Sequence, residues 1–485
     1  MADAPDVPAR RRDLLGDLAG WLDRVPPWAI GVGLLALALL VYWLPGSDRF
    51  YNHFVWQADA FLHGRAAIDW PVQPFDDSPG NAYFQDVYPI TDAAGQPAGA
   101  LLPFPPLPAI VLMPFVALWG LATDHRAVSV GLGAIDVAIA WWALGRLPVS
   151  RRVRLATTLF FAFGTVFWYA AQLGTTWFFA HVVAVTAALL AIGVALGGDR
   201  GADDAVRAPP SPGRVGGELV AAVRAPLQLV DRRQLVAGLL FGLACTARLT
   251  VVFGAPFFLF VGGGGTWLRR GVSAGLGAAL PIALLLGYNV ATTGQLVHPG
   301  YEYQYQLEAR GYPSLNYHAE WSIEDLRYLP QNLGILFLST PALAPDPLPT
   351  TLGTDGPACQ PPDTSRGLFD TACPIAEPQA VGMSILLTSP AYLLLLPALR
   401  RRRSRLVVGA LLAVVAIAFV NLLHFSQGWV QFGYRFSNDF VPFALPLVAL
   451  GMARRGGVGV LGSGLVGLSI LVNAWGVAWG NILGW

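Results

Sequence analysis

Apolar stretches of about 17 to 25 residues recur along the chain, separated by short polar or Arg-rich connections; a stretch of that length carries a helix across a bilayer core of roughly 30 Å. They fall near residues 28–44, 104–121, 127–145, 155–173, 177–196, 235–261, 272–291, 381–399, 406–424, 438–453 and 457–480. The pattern predicts an all-α polytopic membrane protein of about 11 transmembrane helices. Two connections are much longer than the rest, from Pro45 to Leu102 and from Thr292 to Ala380. The predicted organisation is a tail over 1–26, a transmembrane core over 27–291 with a first long loop over 45–102, a second long loop over 292–380, and C-terminal transmembrane helices over 381–485.

The arginines orient this layout. Arg10, Arg11 and Arg12 precede Leu14 to Trp21, a stretch too short and too acidic for the core of a cleavable signal, so the tail is expected to stay in the cytoplasm. Arg269 and Arg270, the run from Arg400 to Arg405, and Arg454 with Arg455 all fall on that same side. Both long loops then face outward from a multi-pass cell-membrane protein. The first half admits two readings. Simple alternation of spans leaves Arg151, Arg152 and Arg154, and the Arg-rich segment Gly197 to Arg233, outside. If instead Phe104 to Leu121 is re-entrant and 235–261 is broken into two short passes at Arg248, every Arg cluster returns to the cytoplasm.

Composition agrees with the membrane reading. The 485 residues are 54% hydrophobic and only 13% charged, where a soluble domain carries about 25% charged residues. The net charge of +1 implies no nucleic acid or other bulk polyanion partner. All 31 basic residues are Arg. Cys359 and Cys373 share the second long loop; in an oxidising outer compartment they are expected as a disulfide, with two free thiols as the alternative. Cys245 lies in a span and reads as packing.

The first long loop carries the clearest local pattern. From Ser47 to Arg65 the spacing predicts an amphipathic juxtamembrane helix, capped by Ser47 or Asp48 and ended by Gly64. Asp48, Asn52, Trp56, Asp59 and His63 fall on one stripe, and Tyr51, Phe54, Val55, Ala58, Phe61 and Leu62 on the other side. The apolar side would rest on lipid or on the bundle. The polar side would offer an acid, an imidazole, an amide and an indole, with His53 and Arg65 beside them. Asp59 and His63, four apart, can touch, which fixes a carboxylate as a general base; the plain alternative is a solvated face. The loop ends in Leu101-Leu102-Pro103-Phe104-Pro105-Pro106-Leu107-Pro108, where clustered prolines force an extended lead-in to the next helix.

Ionisable groups within spans are functional candidates because burying them unpaired is costly. Arg248 either binds a lipid phosphate or pairs with mid-span Asp136. His181 is expected to make a helix–helix hydrogen bond, or to line a binding site, with Trp177 on its face. In Gln431-Phe432-Gly433-Tyr434-Arg435-Phe436-Ser437-Asn438-Asp439, Arg435 and Asp439 are four apart. Arg435 offers a planar fork suited to phosphate oxygens; the alternative is an ion pair that anchors the span. Tyr288, Asn289, Tyr301 and Gln304 near the start of the second long loop suit sugar stacking and hydroxyl bonding, or an aromatic belt at the headgroups.

The helix Asn52-His53-Phe54-Val55-Trp56-Gln57-Ala58-Asp59-Ala60-Phe61-Leu62-His63-Gly64 after the first span, followed by the Phe-Pro-Pro-Leu-Pro lead-in, resembles the GT-C superfamily of membrane glycosyltransferases. That superfamily includes protein O-mannosyltransferases and lipid A aminoarabinose transferases. The resemblance implies transfer of a hexose or pentose from a polyprenyl-phosphate carrier, on the outer face, to a lipid, glycan or protein acceptor. It also implies an acid of the first outer loop as base, here Asp59 or Asp48. The Asp-Glu or Glu-Asp pair of many members is absent. The sequence holds no GxxxxGK[ST], HExxH or CxxC signature, so no cofactor is expected, with divalent-metal dependence left open. The rival readings are a transporter or flippase for a lipid-linked glycan, lined by Asp136, Arg248 and His181, and a structural membrane subunit.

Overall fold

The computed structural model describes residues 20, 23–44, 46, 51–69, 86–198, 230–263, 265–303, 320–344, 359, 365–401, 403–428, 430–454 and 457–485. In chain order the main helices are α1 (Pro27–Trp43), α2 (His53–Leu62), α3 (Leu107–Trp119), α4 (His125–Leu144), α5 (Arg151–Phe163), α6 (Phe167–Leu173), α7 (Thr176–Gly198), α8 (Arg232–Cys245), α9 (Pro256–Phe260), α10 (Trp267–Thr293), α11 (Leu329–Leu338), α12 (Arg405–Leu423), α13 (Ser437–Met452) and α14 (Val460–Ile482). An antiparallel ribbon, β1 (Tyr88–Thr91) and β2 (Pro97–Leu101), pairs Tyr88 with Leu101.

The protein is a helical polytopic membrane protein. Among the described residues five helices are long and apolar enough to cross a bilayer (α4, α7, α10, α12 and α14), or six if α5 and α6, bent by 51°, form one span. The exposed stripe Leu276, Leu280 and Leu284 on α10 shows why the surface is apolar: residues four apart share a helix face, and this face meets lipid. Several helices start at side-chain caps, with Asp124 accepting from the amide of Ala127 at 2.9 Å and Asp231 from that of Gln234 at 2.8 Å. Each such cap is worth about 1 kcal/mol.

Cross-links between helix ends fix the path of the chain. Arg126, at the start of α4, donates to the carbonyl of Trp43 at 2.8 Å and to that of Gln172 at 3.1 Å. At the opposite end, Trp141 donates to the Pro27 carbonyl at 2.7 Å and Arg151 to that of Val25 at 2.9 Å. The helices α1 and α4 are therefore antiparallel, and α3, between them in sequence, enters and leaves on one end of the bundle. The lead-in to α3 is buried at Leu102, Pro103, Pro105 and Pro106. Proline suits a buried extended segment because it brings no N–H to satisfy.

The stretch 235–261 is likewise not one span. Arg233 reaches the Gly197 carbonyl at 2.7 Å, and the Gln234 amide reaches the carbonyls of Phe258 and Val261 at 2.9 and 3.2 Å. The chain rises through α8, turns at Thr246 to Arg248, and returns through Leu249–Gly254 and α9 to where it began. The stretch 381–399 is also interrupted, into short turns at Ile385–Thr388, Pro390–Leu394 and Leu395–Ala398. The prolines Pro390 and Pro397 explain the breaks, since each removes a helical hydrogen bond. This path follows the second of the two sequence readings. It gathers the Arg-rich connections on one end and both long connections on the other.

Packing of α8 on α10 depends on glycine. A Cβ at Gly238 would lie 2.0 Å from the carbonyl oxygen of Ala274, and one at Gly277 would lie 2.0 Å from that of Leu235. Small residues here let two backbones touch, the usual means of helix association where lipid is as apolar as leucine.

Candidate active site

At the end that carries both long connections, α13 starts with Asp439 in its first turn, buried. Its Oδ1 accepts from Arg248 Nε at 3.1 Å and lies 2.9 Å from His181 Nδ1. Its Oδ2 accepts from Arg248 Nη2 at 3.1 Å, Thr250 Oγ1 at 2.7 Å and Asn421 Nδ2 at 3.2 Å. Four segments of the bundle thus converge on one carboxylate: α7, the turn after α8, α12 and α13. A buried charge is tolerable only when paired and fully hydrogen-bonded, and this acid is both. Arg248 can reach it because its backbone is extended, φ −142° and ψ 112°, in the break after α8. Its Nε–Nη2 edge is spent on Asp439. The side chain stays partly exposed.

Two guanidinium groups approach the ring of Phe436, with Arg248 and Arg435 each 5.3 Å from its centre. Arg435 also lies 5.6 Å from the ring of Phe178. The next residue back, Trp177, donates its indole N–H to Asp86. Asp86 takes the left-handed conformation, φ 72°, which a non-glycine residue adopts only where its surroundings hold it. Burial raises its carboxyl above the usual range, opposed by the indole hydrogen bond and by the charge of Arg435. Tyr301, from the second long connection, has its hydroxyl pushed up by burial; the charge of Arg248 opposes the shift, and Asp86 and Glu324 add to it. Both long connections therefore deliver side chains to one spot.

The first-loop helix secures that spot. His53 Nδ1 lies 2.8 Å from Thr176 Oγ1, the amide of Thr176 donates to the Tyr51 carbonyl at 3.0 Å, and Tyr51 and Trp177 rings are 4.9 Å apart. The helix starts at His53 rather than Ser47, with Asn52 at its N-cap position making no side-chain cap bond; Asp48 and Gln304 lie outside the described residues. Its inner face, Phe54, Val55 and Ala58, rests on the bundle as the spacing predicts. That face also buries His53 and Gln57 and leaves Leu62 exposed, because hydrogen bonds to α7 and α10 draw the two polar residues inward. Gln57 donates to Tyr288 at 3.3 Å.

Asp59 and His63 do meet, at 3.6 Å, on the outer surface, where His63 Nδ1 also lies 2.9 Å from the Asp59 carbonyl. Trp56 is half-buried. Arg65 pairs with Asp69, and Asn289 donates to the carbonyl of Leu296 at 2.8 Å. Tyr434 is buried against Phe436.

Two sequence pairings are corrected. Arg435 and Asp439 do not form the expected pair: α13 begins at Ser437, so Arg435 lies before the helix and the four-residue rule does not apply. Arg248 pairs with Asp439, not with Asp136, which is buried on α4. The hydrogen bond expected of His181 is present, and its partner is Asp439. Cys359 and Cys373 are disulfide-bonded. Asp86, Thr250 and Asn421 were not singled out by the sequence. Asp86 sits in the aromatic stretch Gln85-Asp86-Val87-Tyr88-Pro89, and its acidity among rings was the available signal.

No family model and no curated protein matches the chain. Two solved structures of the Archaeoglobus fulgidus oligosaccharyltransferase do. The form tethered by a disulfide to an acceptor peptide containing the NVT sequon is 13% identical, with a TM-score of 0.45 over 96% of this chain and 55% of that one. The apo form is 11% identical, with a TM-score of 0.40 over 93% and 55%. The chain spans about 55% of the length of these structures.

Proposed function

We propose that this protein is a GT-C-like membrane glycosyltransferase that moves a sugar from a polyprenyl-phosphate carrier to an acceptor hydroxyl on the outer face. The carrying observation is that Arg248 and Arg435 both lie 5.3 Å from the ring centre of Phe436, at the end of the bundle where the two long connections meet through Tyr88, His298 and Tyr303. The end of the bundle with the Arg-rich connections is the cytoplasmic one by the positive-inside rule, so this site opens outward.

In the reaction the acceptor oxygen attacks the anomeric carbon from the face opposite the carrier. The carbon–oxygen bond to phosphate breaks, its electron pair stays on the phosphate, and the hydroxyl proton passes to a carboxylate. Inversion follows. We assign Arg435 and the edge of Arg248 not bound to Asp439 to the charge that builds on the departing phosphate, which is where preorganised donors lower a barrier most. Of the acids in the first loop, Asp86 is held by Trp177 of α7 and is within the electrostatic influence of Arg435, so we assign it the acceptor proton ahead of Asp59 and Asp48. To Tyr301 we assign stacking on the sugar.

The test is transfer from a panel of polyprenyl-phosphate sugars by the full chain in lipid vesicles, with Asp48→Asn, Asp59→Asn and Asp86→Asn compared. Loss of a positioned general base costs about 10²–10⁴-fold in turnover, and Asp86→Asn is expected to show it. Full activity in Asp86→Asn with loss in Asp59→Asn or Asp48→Asn would move the base and keep the enzyme. No transfer from any donor would overturn the reading.

A further inference from the structure

The second long connection is pinned to the end of α12 by a short antiparallel pairing of Glu324 with His424. The amide of Asp325 donates to the carbonyl of Leu423 at 2.8 Å, and that of Phe425 to the carbonyl of Ile323 at 2.9 Å. Asn332 of α11 donates to the carbonyl of His424 at 2.8 Å, as does Gln427 at 3.2 Å, so the backbone here is held from several directions. The imidazole is held as well. Its Nδ1 lies 3.3 Å from Glu324 Oε1, and the ring stands edge-on to Phe436 at 6.3 Å. Phe436 is the ring that both Arg248 and Arg435 approach. Among the described residues nothing bonds the other ring nitrogen of His424, Nε2. A second imidazole, His181, borders Phe436 at 6.2 Å, but it is fully buried against Asp439. His424 and Glu324 both keep contact with water.

We infer that His424 is a further catalytic residue, the acid that passes a proton from Nε2 to the departing phosphate, and that Glu324 is its positioning residue. The inference rests on the transferase reading and deepens it. When the carbon–oxygen bond to the sugar breaks, its electron pair stays on the phosphate, which would go from one negative charge to two. The N–H bond at Nε2 breaks, an O–H bond forms on a phosphate oxygen, and the carrier keeps a single charge. It then leaves the two guanidinium groups more readily than a doubly charged phosphate would. The neutral imidazole takes a new proton from the outer water, and Asp86 returns the acceptor proton there, so protons balance over a cycle. Glu324 accepts from the Nδ1–H, which fixes the ring and favours its charged form beside two arginines. The other charges near the ring are accounted for: Arg248 and Arg435 share Phe436 with it, Asp439 and His181 are tied to Arg248, and Asp325 pairs with Arg327 at 2.6 Å. Tyr434 borders Phe436 at 6.0 Å, and Tyr301 lies within the electrostatic influence of Glu324.

The pH profile of turnover separates an acid from a mere anchor for the loop. An acid must be protonated to act, so kcat falls as pH rises through its titration, and removing the carboxylate that holds its proton moves that fall to lower pH. The experiment measures kcat and KM across the range in which histidine changes charge and beyond it, about pH 5 to 9, for transfer from a polyprenyl-phosphate sugar. It uses the full chain in lipid vesicles, as the unaltered protein, His424→Gln and Glu324→Gln. His424→Gln keeps a hydrogen bond to Glu324 but holds no mobile proton. It is expected to lower kcat by about 10²-fold or more with little change in KM, and to abolish the alkaline fall. Glu324→Gln is expected to lower kcat by less and to move the fall to lower pH. An alkaline fall that neither variant moves overturns the inference, as does a loss in His424→Gln that appears in KM and not in kcat. Should His424→Gln fail to fold, an unmoved fall in Glu324→Gln overturns the inference and a fall at lower pH supports it. Transfer by the unaltered protein with unmoved profiles in the variants removes the acid and spares the transferase. Absence of transfer from any donor by the unaltered protein removes both.

Discussion

Two helix contacts within this bundle bury their surfaces in opposite ways. Where α8 meets α10, the glycines Gly238 and Gly277 face the backbone of the other helix. Where α7 meets α13, two of the most polar side chains in the membrane, His181 and Asp439, face each other and bring in Arg248, Thr250 and Asn421. The first contact gains its stability mainly from van der Waals packing, with one hydrogen bond at its end from the amide of Asp231 to Ser273 at 2.9 Å. The second has to recover the cost of removing ions from water, and hydrophobic residues of similar volume often do that job as well or better. A contact that uses charge where none is needed for cohesion points to a role for the charge, and here that role is to fix one edge of Arg248.

The largest expected effect comes from removing the acid at that junction. Asp439→Ala leaves Arg248 and His181 without their shared partner, and breaking a buried pair costs about 3–5 kcal/mol. Thermal unfolding in detergent should show a marked fall in Tm, partly restored by adding Arg248→Met. An unchanged Tm for Asp439→Ala would mean that the two contacts do not differ as described. A smaller loss is expected at the glycine contact. Gly238→Val places carbon against the Ala274 carbonyl, an overpacking that costs about 1–3 kcal/mol. Its effect on Tm should come with no specific loss of donor binding, which separates a packing contact from a functional one.

The smallest effect is a pH dependence where the two loops dock. His298 is buried, accepts from the amide of Gly300 at 3.0 Å through Nδ1, and packs edge-on against Tyr88 of the first loop at 6.0 Å. Burial lowers its pKa from 6.5 to about 4. The folded state therefore prefers the neutral ring, while the unfolded chain takes up a proton near pH 6.5. Stability from this group is full above about pH 6.5, declines as pH falls toward about 4, and changes no further below that. The hydrogen-exchange protection factor of Gly300, which corrects for the intrinsic pH dependence of exchange, should fall between pH 7.5 and 5, and His298→Asn should flatten that fall. An equal pH response in that variant would assign the effect elsewhere.

How much of this was legible in the sequence follows from what each feature depends on. Long helices such as α7 and α12 are written in hydropathy, because crossing a bilayer needs about 20 apolar residues in a row. The break at Thr246 to Arg248 has the same composition as an unbroken span, and only the placement of arginines favoured it. The face of α2 was readable from spacing, but the inward turn of His53 and Gln57 was not, since it depends on Thr176 and Tyr288, 123 and 231 residues away. The partners of Asp439 are more remote still: Arg248 is 191 residues away and His181 is 258. Local rules suggested Arg435 instead, because a spacing of four has meaning only inside a helix. Asp86 belongs to no periodic segment, so its only local mark was an acid set among aromatic residues.

The turn after α8 has a consequence for the surrounding lipid. With 14 residues, α8 is about 21 Å long at 1.5 Å per residue, well short of a hydrocarbon core of roughly 30 Å. The chain reverses there, and the amide of Leu107, at the tip of the α3 lead-in, donates to the carbonyl of Thr246 at 3.2 Å. Two elements that each go only partway through the membrane thus close on one another, and their backbone groups are satisfied by protein rather than exposed to acyl chains. Along this flank the wall of the bundle stops short of the bilayer's full height. Hydrophobic thickness must be matched there by thinning of the adjacent leaflet, at a cost of a fraction of a kcal/mol per Å.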